Sequence, residues 1–83
     1  MPDVATLEDL KQAGSSVAAP EAVARLYAEA FRRFGAQALW SRTPSAAPTV
    51  AQAVVVAEGL RREGGMAAWR LAADIEAACR AAV

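Results

Sequence analysis

The stretch from Thr49 to Val83 constrains the fold more than any other, because it spells a helix, a two-glycine turn and a second helix. Thr49-Val50-Ala51-Gln52 has the spacing of a capping box, in which the Thr49 hydroxyl and the Gln52 amide satisfy backbone N–H groups that the first helical turn leaves unpaired. At about 100° per residue, Val50, Ala53, Val54, Val56, Ala57 and Leu60 share one face, while Gln52, Glu58, Arg62 and Glu63 lie away from its centre. Val55 falls off that stripe, beside Gln52, Gly59 and Arg62, and reads as an isolated surface valine. Gly64 and Gly65 then end the helix and let the chain reverse, and so short a link makes the two helices antiparallel neighbours.

The second helix is expected from about Met66 to Ala82, with Ala68, Leu71, Ala72, Ile75, Cys79 and Ala82 on its apolar face. Arg70 with Asp74 and Glu76 with Arg80 have the i,i+4 spacing of ion pairs on the wet side, each worth about 0.2–0.5 kcal/mol. Between the faces runs a strip of Met66, Trp69, Ala73 and Ala77. A large aromatic beside small residues lets another helix approach closely, so this strip is the candidate partner-binding surface. The competing reading is that the aromatic helix or the Trp40 segment covers Trp69 within the monomer.

Upstream, Thr6-Leu7-Glu8-Asp9 has the pattern of a helix start, with two acids where they complement the helix dipole. Residues 6–13 read as a short helix in which Val4, Leu7 and Leu10 offer burial, stopped by Gly14 and followed by Gly14-Ser15-Ser16 as a flexible link. It is either packed on the domain or a mobile arm that orders on a partner. Pro20 suits the first helical position, so a helix begins near Ala19 and lays Val23, Leu26, Tyr27, Ala30, Phe31, Phe34 and Ala38 along one side as the source of most of the aromatic core. An end or kink is expected near Gly35, then a short helical turn at residues 36–41 that turns Leu39 and Trp40 inward. Thr43 to Pro48 is a proline-punctuated loop leading into the Thr49 cap. The expected architecture is all-α: a small helical bundle with a C-terminal antiparallel helical hairpin. Residues 1–18 form a short N-terminal helix and flexible link, and residues 19–83 a single helical domain.

Composition narrows function by exclusion. At 83 residues the chain holds one modest core, and its abundant alanine favours helix throughout. Acidic and basic residues balance to zero, which removes the global field that holds a phosphate backbone or an anionic membrane. No histidine is present, so the commonest general base and transition-metal ligand are missing; a lone cysteine, Cys79, builds neither a disulfide nor a structural zinc site. Its place on the apolar face reads as a buried thiol rather than a nucleophile. No run approaches the roughly 18 apolar residues of a membrane span, and Met1-Pro2-Asp3 does not resemble a signal peptide, so a cytoplasmic chain is expected. Neither a catalytic residue, a cofactor nor a metal is called for.

Arg32, Arg33, Arg42, Arg61 and Arg62 form a candidate basic patch, though arginines near helix C-termini are ordinarily solvated. Gly64-Gly65 lacks the preceding strand and glycine pattern of a phosphate loop. The hairpin is also a poor DNA-reading helix-turn-helix, since its first helix is too long and its second offers alanines where base-reading groups are needed.

The runs Arg33-Phe34-Gly35-Ala36-Gln37-Ala38-Leu39-Trp40, Pro48-Thr49, Glu63-Gly64-Gly65-Met66 and Leu71-Ala72-Ala73-Asp74-Ile75-Glu76 resemble short, alanine-rich helical proteins of GC-rich bacteria encoded beside abortive-infection-type nucleotidyltransferase toxins. The resemblance covers roughly residues 22–80 and implies a toxin-neutralising or toxin-associated protein, with no catalytic residue to carry over. The functional expectation is therefore a non-enzymatic protein-interaction module, antitoxin-like, that binds a protein partner or itself. The alternatives are a small DNA-binding regulator and a homo-oligomeric helical protein without a separate partner.

Overall fold

The computed structural model describes residues 7–35, 45–63 and 65–82, and these form four α-helices: α1 Leu7–Gly14, α2 Glu21–Phe34, α3 Val50–Glu63 and α4 Met66–Ala82. The fold is a small all-α bundle whose closest pairing is the C-terminal hairpin of α3 and α4. The expected turn at residues 36–41 and the roles of Val4, Thr6, Ala38, Trp40 and Gly64 lie outside the described residues, as does the Leu7 side chain.

The start of α3 has the capping geometry that its spacing implies. The Thr49 amide donates to Gln52 Oε1 at 2.9 Å, and the Gln52 amide donates to Thr49 Oγ1 at 3.2 Å. Just before it, the chain is pinned by an isolated antiparallel bridge between Ala18 and Thr49. The Ala19 amide donates to Pro48 O and the Val50 amide to Val17 O, both at 2.9 Å. This bridge corrects the start of α2. Ala18 is paired in the bridge, and Pro20, extended with ψ of 166°, is the residue before the helix rather than its first member. α2 ends at Phe34, as the Gly35 position suggests, with the Gly35 amide donating to Phe31 O at 3.0 Å.

α3 is the central element, packed against α1, α2 and α4. Val50, Ala53, Val54, Val56, Ala57, Gly59 and Leu60 are all buried, so the wheel underestimates its apolar girth. Gly59 and Val55 sit on the side assigned to water; Gly59 is buried and Val55 half-buried, because a helix with three neighbours has little wet surface. α1 reaches α3 through Gly14. A Cβ there would lie 2.7 Å from Val50 Cβ, so glycine permits the close approach. Leu10 is fully buried, and Lys11 Nζ donates to Glu58 at 3.2 Å across the two helices. Gly14, Ser15 and Val17 form a hydrogen-bonded turn in which the Ser15 amide and hydroxyl both donate to Gln12 O.

The aromatic contribution to the core is smaller than the sequence suggests. Tyr27 is buried, but Phe31 and Phe34 are only partly covered, and the deepest side chains are aliphatic: Leu10, Val23, Val50, Val54, Leu60 and Ile75, with Cys79. Small alanines fill much of the buried face of α3 and α4, and α2 leaves its phenyl rings at the rim. There Arg33 stacks over Phe34 at 5.1 Å, and the Tyr27 hydroxyl accepts from the Ser45 amide at 2.9 Å, fixing the approach to α3.

Cys79 is buried where α4 meets the start of α3, with Sγ 3.8 Å from Val50 O, and burial pushes its thiol up to about 11 from 9.0, with Glu76 adding to the rise and Arg80 opposing it. An acid whose folded pKa is raised leaves stability intact below its unfolded pKa and loses it as pH climbs through the folded one. Stability should therefore fall between pH 9 and about 11, by roughly 2–3 kcal/mol for two units. Denaturation at several pH values checks this by comparison with Cys79→Ala, which should lack that part of the decline; identical profiles would refute the assignment.

Candidate functional site

The turn end of the hairpin, where α3 gives way to α4, gathers the chemistry of this chain. Arg61 lies in the last turn of α3 and Glu76 in the middle of α4. Arg61 Nε and Nη2 donate to the two Glu76 oxygens at 2.7 and 2.8 Å, a two-pronged pair that clamps the helices together. Glu76 is 7% exposed, which corrects its placement on the wet face of α4. Its carboxylate holds the Arg61 guanidinium above its ordinary pKa, against the opposing effect of burial.

Arg61 also positions Trp69. Its guanidinium carbon sits 4.6 Å from the indole centroid, and the indole Nε1 donates to Arg61 O at 3.1 Å. That carbonyl is one of those left without an intrahelical partner where α3 ends, so the indole N–H satisfies it. The polar edge of Trp69 is used internally while the ring remains 50% exposed. Met66, one turn earlier, is 81% exposed, and Ala73 and Ala77 continue the exposed strip along α4. The four residues singled out from the sequence thus lie together on one open face.

Beside this face, a groove of about 430 Å³ runs between α2 and α4, lined by Leu26, Leu71 and Met66 and by the charged Glu29, Arg33, Arg70 and Asp74. Glu29 accepts from Arg33 at 2.8 Å. The expected Arg70–Asp74 pair is not formed among the described residues; both side chains stand in solvent, where such a pair gains little. The candidate basic patch is likewise reduced. Arg61 is committed to Glu76 and Arg33 to Glu29, Arg32 and Arg62 are exposed, and Arg42 lies outside the described residues.

Among the described residues no group of three acidic or thiol side chains is arranged to hold a metal ion, and no helix is long and apolar enough to cross a membrane. The Arg61–Glu76 clamp escaped sequence reasoning because the i,i+4 rule offered Glu76 a partner on its own helix. Hairpin register carries part of the missing signal. Val50 and Cys79, equidistant from the two glycines, do meet, and the same count sets Arg61 opposite Ala68, next to Trp69. Register alone does not pair Arg61 with Glu76, which lies about two turns farther along α4. Compared with protein families, with characterised proteins and with solved structures, the chain matches none of them.

Proposed function

We propose that the chain is a non-enzymatic protein-interaction module whose docking surface is the exposed face of α4, formed by Met66, Trp69, Ala73 and Ala77. One observation carries the reading: Trp69 is held rigidly by Arg61 yet leaves half its surface in water. An indole already fixed in one orientation loses little freedom on binding, and tryptophan is prominent among residues that dominate interface energies. The small side chains of Ala73 and Ala77 leave room for a partner's helix against the backbone. The resemblance to proteins encoded beside nucleotidyltransferase toxins supplies the class of partner, a toxin of that kind, and makes the module antitoxin-like.

Trp69→Ala separates this role from a structural one. With half the ring exposed, its loss should lower unfolding stability by about 2 kcal/mol, from partial burial and the contacts with Arg61, against the 3–5 kcal/mol of a fully buried tryptophan. In capture from cell extract, wild-type bait should retain a protein that Trp69→Ala bait loses. Equal capture by both baits would remove α4 from the docking surface.

A further inference from the structure

We infer that, when no other protein is bound there, the exposed α4 face is covered by a second copy of this chain, packed antiparallel about a two-fold axis beside Ala73. The inference rests on the reading of that face as a docking surface and adds self-association as the state that a protein partner would displace. The face is self-complementary in size. Trp69 lies four residues before Ala73 and Ala77 four residues after it, so a two-fold axis at Ala73 sets each exposed indole against the small side chain of the other copy's Ala77.

The face is also self-complementary in charge. Arg70 and Asp74 are exposed and form no ion pair with each other among the described residues. Antiparallel packing brings Arg70 of each copy alongside Asp74 of the other, so both unused charges are paired twice across the interface. The whole chain has a formal net charge of zero, so two copies approach without long-range repulsion. A face of one 17-residue helix is smaller than a standard interface, so the association is reversible and weak.

Sedimentation velocity of the full chain across roughly 1 µM to 1 mM, the range in which small interfaces form, tests this directly. The wild type should pass from monomer to dimer. Arg70→Asp or Asp74→Arg alone sets like charges together and should weaken dimerisation at least tenfold, while the double exchange should restore it to within a few-fold. Trp69→Ala should weaken it more than tenfold. Because Arg70 and Asp74 are exposed, circular dichroism should show all the charge variants folded. A monomer at every concentration would overturn the second-copy inference while leaving the docking face to be judged by the capture experiment. A dimer indifferent to both the charge changes and Trp69→Ala would place the contact elsewhere and overturn the inference, with the docking face again judged by the capture experiment.

Discussion

Ile75→Asp should abolish cooperative unfolding. Ile75 is completely buried in the apolar core, and a carboxylate there is taken out of water. Burying such a group costs several kcal/mol, against a total stability of roughly 5 kcal/mol for a domain of this size. Urea titration followed by far-ultraviolet circular dichroism should show a gradual, featureless loss of helix. Ala73→Asp, on the exposed side of the same helix, should keep a sigmoidal transition close to that of the wild type. A cooperative transition at the wild-type midpoint for Ile75→Asp would mean that the inward face of α4 is misassigned.

The second large effect belongs to the clamp, and it is asymmetric. Arg61→Ala strands the Glu76 carboxylate, whose side chain is 10% exposed, whereas Glu76→Ala leaves an arginine that is 28% exposed and able to turn toward water. Breaking a buried pair from one side costs about 3–5 kcal/mol, and partial exposure brings the Glu76 substitution toward or below the lower end of that range. Arg61→Ala also removes the cation stacked on Trp69, a further loss of about 0.5–1 kcal/mol at an exposed ring. Arg61→Ala should therefore be the more damaging of the two by chemical denaturation. Equal and small losses for both would show that the pair contributes nothing beyond a surface bridge.

The hairpin was legible in the sequence because its determinants are local. The Thr49–Gln52 cap acts within a few residues, and the apolar stripe of α4 contains Leu71, Ile75 and Cys79, all of them core. What escaped depends on contacts between distant segments. The burial of Gly59 is one case, since it turns on how many helices surround α3, which a wheel does not encode. The Ala18–Thr49 bridge is another, because a single pair of extended residues has no period to detect. Phe31 and Phe34 share the apolar stripe of α2 yet are only partly buried, because a stripe gives a direction and not a depth. The candidate strip was found from angle alone; that Trp69 is tethered through Arg61 required the hairpin's register.

The most direct measurement of the central claim is acrylamide quenching of Trp69 in a Trp40→Phe chain, where it is the only tryptophan. At concentrations low enough to keep the chain unassociated, its emission should be red-shifted and readily quenched, as half-exposure requires, and quenching should diminish when the α4 face is occupied. A blue-shifted emission that resists quenching in the dilute, folded protein would place Trp69 in the core and contradict the account.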